Sequence, residues 1–322
     1  MVIAVTGGAG YIGAIVSSKL REAGNEVRVL DSLLHGQRDV AEGLEESGIA
    51  FIEGDVRDEG ARRKALSGAD ALIHLAAIVG DPACSRDPEL SNEVNVGASR
   101  AIFADAQDLG VERVIFASTC SNYGRMDDPT VPIDETGTLA PVSLYAEQKV
   151  EIERLLLDRS NGLIGTCLRF ATIYGVAPRM RFDLTVNEFT RDLWADRELE
   201  VFGELFWRPY VHVADAALAV RIVLGAAEDQ VAGDVFNVGH SDENYRKLDL
   251  VEMITKQLGR GDVRYVHRDE DPRDYKVSFE KIRRELGFVP EMRVPDGIGE
   301  IIEGLEAERF GDPFDGAFSN IS

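Results

Sequence analysis

The apolar positions of this chain fall into short β-branched runs separated by polar segments with helical spacing. Residues 2–6 read as a buried parallel strand, residues 12–20 as a helix, and residues 26–30 as a second strand ending on Asp31. Further strands are expected over 50–56, 71–77, 114–119, 164–173 and 235–239. Helices are expected over 59–67, 90–109 and 145–157, with stops at Gly68 and Gly110. Strand and helix alternate without a linker, which predicts an α/β fold with a doubly wound parallel sheet. After Gly175 the rhythm changes, to a helix over 186–195, strands over 199–202 and 263–266, and a polar stretch over 268–275. The economical division is a sheet domain from 1–175 and 209–240, with a smaller, discontinuous substrate-binding domain from 176–208 and 241–322. The tail from 310 onward, with Gly311, Pro313 and Gly316, reads as irregular and surface-bound.

The junction between the first strand and first helix carries Gly7, Gly10 and Gly13, followed by the acid at the end of the second strand. Glycines let the backbone turn tightly and approach a pyrophosphate, while a helix start offers unsatisfied N–H groups and a positive dipole end. Asp31 can accept hydrogen bonds from a ribose diol and would repel a 2′-phosphate. Strand, glycine turn, helix, strand and acid together predict a Rossmann unit that holds NAD rather than NADP, with Tyr11 and Ile12 beside the turn.

Composition narrows the picture. The 322 residues are 44% hydrophobic and 29% charged, with 35 Lys and Arg against 57 Asp and Glu, a formal net charge of −22. That excess argues against nucleic acid or an anionic membrane as partner. No apolar run is long enough to span a bilayer and no leader precedes the first strand, so a cytoplasmic location is expected. Cys84, Cys120 and Cys167 give neither a disulfide framework nor metal-type spacing, and no structural metal is expected.

Candidate chemistry lies further on. Tyr145 and Lys149, four residues apart, share one helical face. An ordinary phenol, with a pKa of about 10, is a poor base at neutral pH; a nearby ammonium and an oxidised nicotinamide both favour its phenolate. Ser118 and Thr119 fall at the carboxyl end of the 114–119 strand, where open α/β sheets place their ligands. A hydroxyl there can hold the oxygen of a reacting alcohol while the tyrosine exchanges its proton.

The residues 6–13 (Thr-Gly-Gly-Ala-Gly-Tyr-Ile-Gly), Gly54-Asp55-Val56, Leu75-Ala76-Ala77, Asn95-Val96-Gly97, Thr119…Tyr123-Gly124, Tyr145…Lys149 and Arg208-Pro209-Tyr210-Val211-His212-Val213-Ala214-Asp215 resemble the extended short-chain dehydrogenase/reductases. The resemblance covers nearly the whole chain and implies action on nucleotide sugars. It implies Tyr145 as acid/base, Lys149 as its electrostatic partner and ribose ligand, and Thr119 as the hydroxyl that polarises the sugar oxygen. Asp55 and Val56 then contact adenine, Leu75, Ala76, Ala77 and Ser118 line the cofactor, and Asn95 orders the site. Arg208 and Arg273 grip the diphosphate, and Cys120, Thr172, Leu184, Asn187 and Phe202 complete the substrate residues. A homodimer formed through two helices is also implied.

Two departures bear on the reaction. Dehydratases of this family follow the threonine with Asp-Glu, whereas Cys120 and Ser121 stand here, which argues against 4,6-dehydration. Thr172 replaces an asparagine that helps hold the diphosphate. The stretch 178–190, containing Arg179 and Arg181, resembles a subgroup that includes GDP-heptose 4-dehydrogenases; both arginines are expected to grip phosphate or sugar. The expected activity is an NAD-dependent nucleotide-sugar 4-epimerase passing through a 4-keto sugar. The alternatives are a 4-dehydrogenase or 4-ketoreductase without epimerisation, and a non-catalytic NAD(H) sensor.

Overall fold

Seven of the apolar runs pair into one sheet. Its strands are β1 (Val2–Thr6), β2 (Glu26–Asp31), β3 (Ala50–Glu53), β4 (Ala71–His74), β5 (Arg113–Thr119), β6 (Ile164–Phe170) and β10 (Asp234–Val238). They lie in the order β10-β6-β5-β4-β1-β2-β3, and every neighbouring pair is parallel. The computed structural model describes residues 1–126, 128–267 and 273–320. One face of the sheet packs Val16 and Leu20 of the first helix (Tyr11–Glu22) with Ala216, Val220 and Val223 of the helix Val213–Gly225. The other face packs Ile102 and Phe103 with Ile152 and Leu156 of the helix Leu144–Leu157. Strands buried on both faces explain why these runs are continuously apolar rather than alternating.

The remaining strands build a smaller layer at the carboxyl ends. β7 (Thr172–Tyr174) pairs parallel with β9 (Trp207–His212), which pairs antiparallel with β11 (Asn244–Arg246). β8 (Leu199–Phe202) pairs parallel with β12 (Val263–Val266). A second core, including Phe182, Val186, Leu193, Val251, Ile254, Ile298 and Ile301, joins this layer to the helices Thr185–Trp194, Lys247–Leu258 and Val294–Glu306.

Three expectations change. The strand over 164–173 breaks at Ala171, whose N–H still donates to Val238 O of the main sheet before the chain crosses to the second layer. The helix over 90–109 is three pieces, with a π-helical turn at Glu93–Ala98 between Pro88–Asn92 and Ser99–Asp108. The helix Glu280–Leu286, inside the stretch 241–322 expected to bind substrate, packs on the sheet instead, with Ile282 and Phe288 in its core. The tail from 310 is irregular and lies at the surface, as expected. Phe310 and Phe318 meet the Phe182 ring edge-on, and Asn320 N–H donates to Asp183 at 3.1 Å. Three packed aromatic rings hold it against the second layer. Of the polar stretch 268–275, residues 268–272 lie outside the described residues.

Candidate active site

The carboxyl ends of β1, β2, β4, β5 and β6 and the start of the second layer enclose a cleft of about 410 Å³. At one end, β1 runs into the glycine turn. Gly7 has φ +70°, and a Cβ there would meet Ala76 N at 2.8 Å; a Cβ on Gly13 would collide with the Gly7 carbonyl. The helix that follows begins after Gly10 with no side-chain cap, so its first-turn N–H groups are available to an anion. Asp31 accepts from Ala9 N–H and Leu33 N–H, both at 2.9 Å. Burial raises the Asp31 carboxyl above its usual range, and those two N–H groups oppose the rise. Asp55 sits nearby, held below its usual range by Arg57. A glycine cradle that tolerates no side chain, an uncapped helix start and a buried strand-end acid fit a dinucleotide. Gly7, Gly10, Tyr11, Ile12 and Gly13 would meet its diphosphate and Asp31 its ribose.

At the other end stand Thr119, Tyr145 and Lys149, with Ser118 and Ser121 beside them. Ser143 caps the helix that carries the tyrosine and lysine, its hydroxyl accepting from Ala146 N–H at 3.4 Å. Lys149 is 4% exposed; its Nζ donates to Ala117 O at 2.7 Å and lies 5.7 Å from the Tyr145 ring centre. Thr119 Oγ1 accepts from Ser121 N–H at 3.1 Å, which fixes the hydroxyl at the end of β5. Burial pushes the Tyr145 phenol above its ordinary range, Cys84 adds to the rise, and Arg181 works against it. The phenol is therefore a proton holder until further positive charge arrives beside it.

Burial pushes Lys149 down to about 8. Between pH 8 and the ordinary 10.5, the folded chain then binds fewer protons at this residue than the unfolded chain. Its contribution to stability should rise with pH across that window, the burial penalty being fully present below it. Denaturant unfolding of wild type and Lys149→Met from pH 7.5 to 10.5 should show a steeper rise for wild type. Parallel curves would refute the depressed lysine.

Beneath Ser118 lies a network that sequence reasoning missed. Glu153 and Arg169, 1% and 4% exposed, pair at 2.7 Å. Glu153 also accepts from Ser118 Oγ at 2.5 Å and Asn122 Nδ2 at 3.0 Å, while Arg169 Nη1 donates to Tyr123 OH at 3.0 Å. A second buried link joins His74 to Thr6 Oγ1 at 2.7 Å and Ser99 Oγ at 2.9 Å. Burial, aided by Lys149, pushes the His74 imidazole down to about 3. The only sequence signal for these links was polar residues inside apolar strands and helices.

The expected residues Gly7, Gly10, Tyr11, Ile12, Gly13, Asp31, Asp55, Val56, Leu75, Ala76, Ala77, Ser118, Thr119, Tyr145, Lys149, Thr172, Arg179, Arg181, Leu184 and Arg273 all line the cleft. Five others fall outside its lining. Asn95 works behind the wall: Ile78 N–H donates to its side chain, which donates to Ile78 O and Gln148. The π turn is what places that amide there. Cys120, expected at the substrate, is 1% exposed and donates to Arg169 O. Burial raises its thiol well above the ordinary range, so it is packing. Asn187, also expected at the substrate, is fully buried and holds Tyr11 OH at 3.1 Å, Gly175 N–H at 3.0 Å and Arg181 O at 2.8 Å. Its role is to fasten the second layer to the glycine turn. Phe202 is exposed on β8 and is not part of the cleft lining. Arg208 donates to Trp207 O, and its guanidinium lies 5.5 Å from the centre of the Tyr275 ring, a ring that itself lines the cleft.

Residues 3–239 match the NAD dependent epimerase/dehydratase family. The chain belongs to that family. It is 29% identical to a UDP-glucose 4-epimerase of Lacticaseibacillus casei over 94% of this chain and 95% of that protein. It is 30% identical to a dTDP-glucose 4,6-dehydratase of Streptomyces niveus over 96% and 94%. Among solved structures, the DesIV dTDP-glucose 4,6-dehydratase of Streptomyces venezuelae with NAD and TYD bound superposes with a TM-score of 0.87 at 28% identity, covering 98% of this chain and 100% of that one. The UDP-glucose 4-epimerase of Thermus thermophilus in complex with NAD gives 0.83 at 27% identity, over 95% and 99%. This epimerase/dehydratase is thus an NAD-dependent enzyme of nucleotide-sugar chemistry. Among its described residues, no helix is long and apolar enough to cross a membrane and no cluster of metal-ligating side chains occurs.

Proposed function

We propose that the chain is a nucleotide-sugar 4-epimerase acting through a transient 4-keto sugar. The observation that carries this reading is the set Thr119, Tyr145 and Lys149 in one cleft, with the neutral Cys120 and Ser121 following Thr119. Elimination of water needs an acid and a base beside the sugar. Among the described residues, the carboxylates lining the cleft, Asp31 and Asp55, belong to its ribose end, and the Cys120 thiol is packed away. Bound NAD would supply the acceptor for the hydride of the sugar carbon, which comes back on the opposite face once the keto sugar has turned over. The chain's own part is proton transfer and positioning. Tyr145 accepts the hydroxyl proton, Thr119 holds the same oxygen as it becomes a ketone, and Lys149 supplies charge that favours the phenolate. Returning the proton from Tyr145 completes either face of the exchange, so the same three residues serve forward and reverse steps.

Purified protein incubated with UDP-, GDP-, dTDP- and CDP-sugars, without added cofactor, should convert one of them to its 4-epimer. Absorbance of reduced nicotinamide should stay below one equivalent per chain. Stoichiometric reduction with a keto product and no epimer would replace this reading with a 4-dehydrogenase, the activity suggested by the sequence of the 178–190 stretch. Binding of NAD without turnover of any sugar would leave the sensor.

A further inference from the structure

Arg179 and Arg181 both line the cleft, but their surroundings differ. Arg181 is satisfied: its guanidinium forms two hydrogen bonds to Asp183, at 2.9 and 2.7 Å. Arg179 is 6% exposed, and its Nε and Nη2 are buried without a hydrogen-bond partner. A buried guanidinium with idle donors, and a second arginine close enough to depress it further, is costly unless an anion joins it. The groups around it say which anion. It lies on the segment between Gly175 and Arg181, whose two ends Asn187 holds beside Tyr11 of the glycine turn. Asp31, which accepts from Ala9 of that turn, lines the same cleft. The charge of Arg181 acts on Tyr145 as well as on Tyr11 and His35, and Arg273 lines the cleft beside Tyr275. The second layer is locked to the turn at this point, because Tyr11 OH donates to Gly175 O at 2.6 Å and accepts from Asn187.

We infer that Arg179 is a cofactor ligand: it closes over the glycine turn from the opposite wall and binds the diphosphate of NAD, rather than the sugar nucleotide. The glycine turn meets that diphosphate with backbone N–H groups from the sheet side, and Arg179 adds a charged fork from the substrate layer. NAD is then enclosed between the two layers, as a cofactor that must survive each hydride transfer in place has to be. This is independent of whether the enzyme epimerises or oxidises its sugar.

The test compares wild type with Arg179→Met and Arg179→Lys. Release of bound NAD, chased with excess etheno-NAD, should be roughly tenfold to a hundredfold faster in Arg179→Met, with partial recovery in Arg179→Lys. Titration of the NAD-saturated proteins with UDP, GDP and dTDP should give wild-type affinities. Charcoal-stripped Arg179→Met should melt no lower than stripped wild type, since it loses a buried unpaired charge. Unchanged NAD release would overturn the assignment, whatever happens to nucleotide binding. A lower melting point of the stripped variant would also overturn it, by making the arginine structural.

Discussion

Tyr145→Phe should lose turnover by roughly a hundredfold to ten-thousandfold while the purified protein keeps its NAD, the range expected when a positioned acid/base is removed. The phenol lines the cleft at the end of β5, on the same helical face as Lys149, whose ammonium is fixed by Ala117 O. Removing one oxygen leaves ring, helix and lysine where they are, so binding should persist. Single-turnover reduction of bound NAD by the sugar substrate isolates the chemical step from product release. A variant that still reduces its NAD at the wild-type rate would remove Tyr145 from the chemistry.

The second large effect is on stability. Glu153→Ala should cost about 3–5 kcal/mol, because it leaves Arg169 buried and charged without its carboxylate. Glu153 also takes the Ser118 hydroxyl and the Asn122 amide, so three donors lose their acceptor together. Replacing both partners, Glu153→Leu with Arg169→Met, should recover much of that loss, since no buried charge then remains. Chemical denaturation of Glu153→Leu, Arg169→Met and the double variant gives the coupling directly. The double variant should still turn over more slowly than wild type, because Ser118 and Thr119 end the same strand and the network anchors the former. Additive losses in the three variants would show that the pair does not act as a unit.

The two ends of the cleft were read from the chain with different success. Asp31 and the glycine turn are local features: two strands, one turn and one helix, contiguous in sequence, bring them together. The Tyr145–Lys149 pair is similarly local, a helical repeat of four. Residues that reach the site through long-range packing were assigned by motif position and fared less well. Asn187 and Cys120 occupy positions expected at the substrate, yet each was drawn inside by hydrogen-bond partners or apolar neighbours far away in sequence.

By itself, then, the sequence determined the parallel sheet, the glycine turn with the acid that ends β2, and the Tyr145–Lys149 pair on one helical face, because periodicity and short-range spacing specify each of them. Only the tertiary structure decided which cations are already paired. Arg179 and Arg181 are two residues apart, and their composition is identical. What separates them is that Asp183 satisfies one, while the other is buried in the cleft wall with idle donors. A charge's role depends on the partners that folding brings to it from distant parts of the chain, and no local pattern carries that information.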